Sequence, residues 1–279
     1  MNSNTISILG CGWLGLPLGE HFYKKGYLVK GSTRIEEDLD ALKQKGILPF
    51  QLELTDTTLV AEQLHEFLNS DILIISFPPE RRKDIETYHP AQFNLLVSAL
   101  KNSIVKKVLF VSSTSVYPDL NREVFENETA PPVKASGKAL KLVEELLTLQ
   151  TNFTTTVIRF SGLIGYDRVP GLSLAEKATV ENGDVPINVI HQDDCIGLIS
   201  QIIQQNKWGE VFNASADCHP TRKEFYSLAA DKAGLKLPDF NIGKERNFKI
   251  INSTKIKKQL GYEFKYPNPL AVLTDCPLT

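Results

Sequence analysis

Gly10, Gly12 and Gly15 directly follow a short apolar run near the beginning of the sequence, in ISILGCGWLG. A strand, a GxGxxG loop and a helix in this order typically bind the diphosphate of a dinucleotide. The first glycine permits the tight turn, the second lets the diphosphate approach the backbone, and the third lets helix and strand pack closely. The free N–H groups at the start of the helix face the anion. We therefore predict a dinucleotide-binding loop, the alternative being a tight turn without a ligand.

The residues after the second predicted strand indicate which dinucleotide binds. An NAD site usually has Asp or Glu there, roughly 20 residues past the glycines, to bond the ribose 2′-hydroxyl. This sequence instead reads KGSTR over residues 30–34, and the next acidic residue is Glu36. Thr33 can donate its hydroxyl to a 2′-phosphate, and Arg34 can pair with that phosphate and stack on the adenine. We expect NADP to be favoured over NAD, the alternative being that Arg34 is only a solvated loop charge.

Alternating strand-like and helix-like segments in the first half would position these loops. Strands alternating with helices imply βαβ units with right-handed crossovers, and runs that are apolar on both faces are typical of buried parallel strands. We predict an α/β fold, a Rossmann-like doubly wound parallel sheet. The predicted strands span residues 6–9, 27–31, 47–52, 71–75, 108–111 and 155–160, and the predicted helices residues 13–25, 58–69, 90–102 and 136–149.

The second half contains shorter strand candidates interspersed with helices. The predicted strands there are residues 185–190, 211–214 and 248–251, and the predicted helices residues 193–205, 222–233 and 253–260. This pattern favours a smaller mixed α/β C-terminal lobe over the sheet edge where open α/β sheets bind ligands. We place a dinucleotide-binding domain at residues 1–165 and a substrate-binding lobe at residues 166–279, and a strand or helix of the lobe can return to the first domain.

Composition and charge exclude several classes of partner. The 31 basic and 33 acidic residues among 279 leave a net charge of −2, which gives no electrostatic footprint for nucleic acid or an anionic membrane. No apolar stretch approaches the roughly 20 residues that span a bilayer. The N-terminus lacks the features of a signal peptide, so we expect a cytoplasmic protein with a small-molecule substrate. Cys11, Cys195, Cys218 and Cys276 are scattered, which predicts reduced thiols and no metal site.

Three further segments match a known family pattern. SSTSVY at residues 112–117 matches Ser-Ser-x-x-Val-Tyr, RFSGLIG at residues 159–165 resembles a segment that closes over the nicotinamide, and HQDD at residues 191–194 resembles His-x-x-Asp. Over nearly its full length the chain resembles the extended short-chain dehydrogenase/reductases, and more closely their atypical NAD(P)-dependent epimerase/dehydratase-like branch. That family usually has GxxGxxG, where this sequence has Leu9 in the first place. The resemblance implies that Ser113 hydrogen-bonds the reacting oxygen.

The family's catalytic Tyr-x-x-x-Lys motif is incomplete in this sequence. In PVKASGK, residues 132–138, Lys138 matches the lysine, but Lys134 stands in the place of the tyrosine. In the family mechanism a tyrosinate moves a proton while hydride transfers, and the lysine cation lowers the tyrosine pKa. Lys134 can act as a base only with a strongly depressed pKa. Tyr117 and Tyr166 are alternative stand-ins that their spacing does not distinguish.

The motifs and the resemblance together give the candidate site residues. The predicted catalytic residues are Ser113, Lys138, Lys134 and Tyr117. The predicted cofactor-binding residues are Gly10, Cys11, Gly12, Trp13, Leu14, Gly15, Ser32, Thr33, Arg34, Phe77, Pro78, Ser112, Lys138, Phe160 and Gly162, and the predicted substrate-binding residues are Ser113, Thr114, Arg168 and His191. Some of them have structural alternatives: a polar strand end that caps a turn at residues 112–115, an exposed helix charge at Lys138 and a hydrogen-bonded structural side chain at His191.

Two functions of different classes fit these observations. The first is an NADP-binding oxidoreductase-like or epimerase-like enzyme acting on a small polar substrate, nucleotide-activated or not. The second is a dinucleotide-binding sensor or regulatory protein that has lost catalysis with the tyrosine. A β-hydroxyacid dehydrogenase type is disfavoured, because its C-terminal half would be all helix. The family resemblance also implies a homodimer formed through the helices predicted at residues 90–102 and 136–149.

Overall fold

A computed structural model describes residues 5–60, 63–168, 179–243 and 246–275, so Cys276 lies outside the described residues. The first part of the chain contains β1 (Thr5–Leu9), α1 (Gly15–Lys24), β2 (Leu28–Thr33), α2 (Leu39–Gln44), β3 (Leu48–Gln51), β4 (Glu53–Leu54), β5 (Leu59–Val60), α3 (Leu64–Phe67), β6 (Ile72–Ile75), α4 (Ile85–Leu100), β7 (Lys107–Ser113), β8 (Glu123–Val124), α5 (Ala135–Thr148) and β9 (Thr154–Phe160).

The remaining described elements are shorter on average. They are β10 (Gly162–Ile164), β11 (Thr179–Val180), β12 (Val189–His191), α6 (Gln192–Gln204), β13 (Val211–Ala214), α7 (Arg222–Lys232), β14 (Asp239–Phe240), β15 (Ile250–Ile251), α8 (Thr254–Leu260) and α9 (Pro269–Asp275). Short 3₁₀ turns lie at Glu36–Asp38 and Thr114–Val116.

The central sheet has seven strands in the order β13-β9-β7-β6-β1-β2-β3. The pairs β1–β2, β1–β6, β2–β3 and β6–β7 are parallel. From β1 the chain adds β2 and β3 on one side, and later β6, β7 and β9 on the other. The strand order therefore reverses between β1 and β6, which is where open α/β sheets bind ligands. The predicted Rossmann-like doubly wound sheet is confirmed.

The core of the sheet follows from strands that are apolar on both faces. All four residues of β6 are buried, and β1 is buried over its last four residues. A strand covered by helices on both faces needs such a continuous apolar run. The carboxyl ends of β1 and β6 are thereby fixed side by side, with Ser76 N–H donating to Leu9 O at 2.9 Å.

Backbone contacts divide the chain into two compact units, each assembled from three segments. The first contains the chain through Val116, Pro131–Arg159 and Ile202–Val211, so a segment of the second half returns to it. The second contains Tyr117–Ala130, Phe160–Gln201 and the chain from Phe212 onward. Among the described residues of the second unit, β10 pairs with β12, β11 with β14 and β8 with β15, and α7, α8, α9 and most of α6 are helical. This unit is mixed α/β rather than all-helical.

The helix predicted over residues 58–69 is wrong. Thr55 instead begins a turn, in which its hydroxyl accepts from Thr58 N–H at 3.0 Å and its own N–H donates to Thr58 O at 2.8 Å. The turn joins β4 and β5 into an antiparallel hairpin, leaving only Leu64–Phe67 helical. Threonine side chains can hydrogen-bond to nearby backbone groups, and so they compete with helix formation for those groups.

Three other predicted elements have different bounds. Helix α4 begins at Ile85, so Pro90 lies inside it rather than in its first turn. Pro90 cannot donate to the carbonyl of Glu86, a half-exposed residue in the first turn, where water can replace the missing bond. The strands predicted at residues 185–190 and 248–251 shrink to Val189–His191 and Ile250–Ile251.

Candidate functional site

Each glycine of the loop after β1 has a different structural role. Gly10 has a φ of +99°, a backbone conformation that glycine adopts readily and residues with a Cβ rarely adopt. A Cβ at Gly15 would lie 2.2 Å from the carbonyl oxygen of Gly10, so α1 and the loop pack too closely for a side chain. A Cβ at Gly12 would meet no atom of the described residues within 4 Å. The backbone at Gly12 is thus open to a ligand, as a diphosphate requires.

The start of α1 completes the loop. The helix begins at Gly15 with Leu14 as its N-cap residue, and the N–H groups of Leu16 and Leu18 donate to Gly12 O at 3.0 Å and Leu14 O at 3.1 Å. Pro17 is the third helical residue, where its missing N–H costs little. The Leu14 side chain is buried and that of Trp13 is half-buried, so Leu14 can serve a ligand only through its backbone.

A cavity of about 340 Å³ lies in the first unit, at the carboxyl ends of β1, β2 and β6. It brings together eight of the predicted cofactor-binding residues. These are Gly10, Cys11, Gly12, Ser32, Thr33, Arg34, Phe77 and Pro78. The cavity is also lined by Leu9, Ile35, Asp38, Leu52, Leu54, Ser76, Pro79, Glu80 and Gln92. The cavity therefore joins the glycine loop to the residues that would select the dinucleotide.

The end of β2 is held close to the glycine loop. Ser32 accepts a hydrogen bond from Gly10 N–H on its hydroxyl, at 3.1 Å, and one from Cys11 N–H on its carbonyl, at 2.8 Å. A Cβ at Gly31 would lie 2.6 Å from the sulfur of Cys11, so this position also needs glycine. Burial raises the pKa of the Cys11 thiol to about 12, which leaves it an inert wall of the cavity. Sequence reasoning missed the role of Gly31.

Arg34 extends over the rim of the cavity. Its guanidinium Nη1 lies 2.7 Å from Glu80 Oε1, and two-thirds of its side chain is exposed. The hydroxyl of Thr33 accepts from Ile35 N–H at 3.2 Å, so its own proton is available to a ligand. The cation predicted to bind a 2′-phosphate is therefore present, but it is paired with a carboxylate that sequence spacing did not reveal.

The two serines that end β7 have different surroundings. Ser112 donates to Glu144 Oε1 at 2.6 Å, and Glu144 is also paired with Arg159, with Nη2 and Oε2 2.5 Å apart. All three side chains are buried, so the Ser112 hydroxyl is directed into the interior rather than toward a ligand. Ser113 is half-buried, and its oxygen accepts from Ser115 N–H at 3.2 Å. Its hydroxyl proton remains available, as the predicted role requires.

On helix α5, Gly137 packs against the turn that follows Ser113, and the two predicted lysines are exposed. A Cβ at Gly137 would lie 2.1 Å from Ser115 O, so the face of the helix that contains Gly137 packs on the turn. Lys134 and Lys138 are exposed, and Lys138 Nζ lies 3.3 Å from Glu86 Oε1 on α4. Leu140, one turn after Ser136 on the same helix, is buried but has no titratable group that could carry a proton. This position agrees with the alternative that Lys138 is an exposed charge on the helix.

The tyrosines considered as stand-ins are bound to other groups. Tyr117 is buried and donates its hydroxyl proton to Asn213 Oδ1 at 2.7 Å. Tyr166 donates to Asp193 Oδ1 at 2.7 Å, and this bond, with partial burial, raises the Tyr166 pKa to about 12. A raised pKa is the opposite of what a proton-accepting tyrosinate requires.

His191, a predicted substrate-binding residue in the second unit, belongs to a hydrogen-bonded cluster with Asp193, Asp194 and Tyr266. His191 is buried, accepts from Asp193 N–H on Nδ1 at 3.1 Å and stacks on Tyr266, with ring centroids 3.9 Å apart. Asp194 accepts from the backbone N–H groups of Lys265 and Tyr266, at 2.7 and 3.0 Å. The HQDD segment thus ties α6 to the chain around residue 265. Of the other predicted residues, Phe160 and Thr114 are buried, and Gly162 and Arg168 are exposed.

Among the residues that the structure describes, no group of three or more His, Cys, Asp or Glu side chains is placed to hold a metal ion. Within the same part of the chain, no helix combines the length and apolarity needed to cross a membrane.

Known proteins provide an independent comparison. No protein-family model matches the chain. Protein YeeZ of Escherichia coli K12 is 34% identical over 270 residues, which cover 96% of this chain and 98% of the relative. A short-chain dehydrogenase/reductase superfamily protein from Agrobacterium tumefaciens with bound NAD superposes with a TM-score of 0.79 at 15% identity, over 97% of this chain and 95% of that one.

A second solved structure agrees. UDP-glucuronic acid 4-epimerase from Bacillus cereus, in complex with UDP-glucuronic acid and NAD, gives a TM-score of 0.79 at 16% identity, over 97% of this chain and 96% of that one. The resemblance predicted from the motifs is confirmed for the fold. Given the identity and coverage of the Escherichia coli relative, the chain belongs to the family of Protein YeeZ, and its fold is that of the extended short-chain dehydrogenase/reductases.

Proposed function

We propose that this protein binds a nicotinamide dinucleotide in the cavity of the first unit, with NADP favoured over NAD. The backbone of Gly10–Gly15 would hold the diphosphate, and Thr33 and Arg34 would hold the adenosine 2′-phosphate. One observation supports this most: the open backbone at Gly12 and the guanidinium of Arg34 line the same cavity. The similar Agrobacterium and Bacillus structures contain NAD, which supports binding of a nicotinamide dinucleotide. At this level of identity they do not indicate whether this protein prefers NAD or NADP.

Titration of NADPH and NADH, followed by nicotinamide fluorescence, tests this proposal. Arg34→Ala removes a charge-assisted hydrogen bond, so NADPH is expected to bind about tenfold or more weakly, with NADH little changed. Arg122→Ala is the matched control, because Arg122 is an exposed arginine paired with Glu128 outside the cavity. If wild-type protein binds neither dinucleotide, or if Arg34→Ala weakens both equally, the proposal is wrong.

The use made of the bound dinucleotide has two candidates. When bound, the nicotinamide would accept or supply a hydride, and Ser113 would donate a hydrogen bond to the oxygen of a small polar substrate. That is the oxidoreductase-like or epimerase-like enzyme. The alternative is a sensor or regulatory protein. The exposure of Lys134 and Lys138 and the engagement of Tyr117 with Asn213 favour the sensor, because neither lysine nor this tyrosine is placed as a proton carrier.

Deuteride transfer separates the two candidates. Wild-type protein is incubated with NADPH deuterated at nicotinamide C4 and a panel of aldehydes and ketones, and separately with oxidised NADP and a panel of nucleotide sugars. Chromatography and mass spectrometry identify deuterated products and oxidised or epimerised sugars. The sensor predicts tight binding without label transfer or sugar conversion. Label transfer or sugar conversion that Ser113→Ala abolishes would instead establish the enzyme. A cytoplasmic location, a small-molecule partner and a homodimer remain predictions, the last tested by light scattering.

A further inference from the structure

Glu80 is hydrogen-bonded to the arginine that is predicted to recognise the dinucleotide. It follows β6 and lines the same cavity as Arg34, and its Oε1 accepts from Arg34 Nη1 at 2.7 Å. A guanidinium binds a carboxylate and a phosphate through the same N–H groups. A 2′-phosphate that uses Nη1 of Arg34 therefore competes with Glu80, and the carboxylate would also repel it.

A second arginine lies on the other side of the same carboxylate. Arg82 Nη1 is 3.9 Å from Glu80 Oε2, so Glu80 lies between two guanidinium groups. Arg82 is fixed independently of Glu80: its Nε and Nη2 donate to the two oxygens of Asp84 at 2.6 and 2.8 Å. Its guanidinium carbon lies 3.4 Å from the centroid of the Tyr88 ring. The second partner of Glu80 is therefore preorganised.

We infer that Glu80 sets the dinucleotide preference by exchanging its ion-pair partner. This inference rests on the proposed binding of a dinucleotide in the same cavity. With the 2′-hydroxyl of NAD, Glu80 keeps Arg34. With the 2′-phosphate of NADP, Arg34 turns to the phosphate and Glu80 closes the short remaining distance to Arg82. Glu80 thus lowers the affinity for NADP relative to NAD that Arg34 alone would give. Arg82 limits this loss of affinity, because it offers Glu80 a second partner.

Glu80→Gln tests the first half of this inference. Glutamine keeps the size and hydrogen-bonding capacity of the side chain but removes the charge that competes with the phosphate. NADPH is expected to bind about five- to tenfold more tightly, and NADH to change by less than about twofold. Glu20→Gln is the matched control, because Glu20 is a partly exposed glutamate paired with Lys24 and is not among the residues that line the cavity. Thermal unfolding of each variant verifies that it is folded.

A double-mutant cycle with Arg82→Ala tests the exchange itself. In the wild-type background, Arg82→Ala is expected to weaken NADPH binding, because Glu80 then loses its second partner. In the Glu80→Gln background the same substitution should have almost no effect on NADPH binding, whereas simple loss of a positive charge would weaken it equally in both.

The outcomes distinguish this inference from the proposed function. If wild-type protein binds NADPH but Glu80→Gln leaves its affinity unchanged, or changes both dinucleotides alike, the inference is wrong and the proposed function stands. If Arg82→Ala acts equally in both backgrounds, the exchange is wrong. If neither dinucleotide binds the wild-type protein, both the proposed function and the inference are overturned.

Discussion

At the scale of single residues, the glycine loop separates folding from ligand binding. Gly15 is required by the fold, because its missing side chain lets α1 approach the Gly10 carbonyl. Gly12 faces open space, so nothing in the packing of the described chain requires glycine there. Packing requires glycine at position 15 but not at position 12. The glycine at position 12 therefore indicates that the backbone there is kept open for a ligand.

Matched alanine substitutions test this separation. Gly15→Ala puts a Cβ 2.2 Å from a backbone oxygen and is expected to lower the free energy of unfolding by about 1–3 kcal/mol. Gly12→Ala should leave stability within about 0.5 kcal/mol, because it meets no neighbour, but weaken dinucleotide binding. Urea unfolding and fluorescence titration measure the two effects. A destabilised Gly12→Ala protein, or one with normal dinucleotide affinity, would contradict this interpretation.

Residue types were easier to predict than the directions of their side chains. The loop glycines and Thr33–Arg34 were found because their spacing from strands is fixed by the backbone. Lys134 and Lys138 are four residues apart and share a helix face, but the sequence does not show which way that face turns. The contact of Gly137 with Ser115 O decides it, and that contact joins elements distant in the sequence. Glu80 was missed as a partner of Arg34 for the same reason.

At the scale of elements, a buried ion pair joins β7, α5 and β9. Glu144 on α5 accepts from Ser112 on β7 and is paired with Arg159 on β9, all of them in the interior. Charges of this kind are costly to bury, and they are stable only while every partner is present. The cluster fixes α5 against the strand that ends at Ser113, and so it positions the turn predicted to meet the substrate.

Glu144→Gln removes the charge and leaves Arg159 buried without its counter-ion. The free energy of unfolding is expected to fall by about 3–5 kcal/mol. Glu145→Gln, on the exposed side of the same helix, is the control and should change stability by less than about 0.5 kcal/mol. Denaturant unfolding of both variants measures the difference. Equal, small effects would show that the pair does not stabilise the fold.

Elements with strong local signals were predicted, and those set by other parts of the chain were not. The apolar runs of β6 and β7 identified buried strands because few other structures accommodate such runs. Pro90 suggested a helix start, although α4 tolerates it because the Glu86 carbonyl, to which it cannot donate, belongs to a half-exposed residue. Lys30 is buried on β2 and donates to Glu66 O and Asn69 O at the end of α3, a cap that no sequence pattern indicated.

At the scale of the whole molecule, topology explains why one cavity collects residues from distant parts of the sequence. Parallel strands end at the same sheet edge, and the reversal of strand order between β1 and β6 leaves a crevice there. The loops after β1, β2 and β6 all reach this crevice, which places Gly12, Arg34 and Glu80 around one cavity. This convergence was predictable from the fold class, but the division into two interleaved units was not, because it depends on where segments return.

Four histidines that are buried or half-buried make the stability of the protein depend on pH. Burial is the largest cause that lowers the pKa of His21, His89, His191 and His219 below the ordinary value of 6.5. As pH falls through about 6.5, the unfolded chain takes up protons that the folded chain does not. The unfolded state therefore binds more protons, and the free energy of unfolding must decrease as pH decreases. Above about pH 7.5 both states are neutral at these groups and their contribution is constant.

Urea unfolding at a series of values between about pH 5.5 and pH 7.5 measures this dependence. His191→Gln removes one of the four groups and keeps an acceptor for Asp193 N–H, so its stability should decline less steeply as the solution is acidified. His65→Gln, at an exposed position on α3, controls for the substitution itself. Stability that stays constant over this range, or that rises on acidification, would mean that these histidines take up protons in the folded protein as readily as in the unfolded chain.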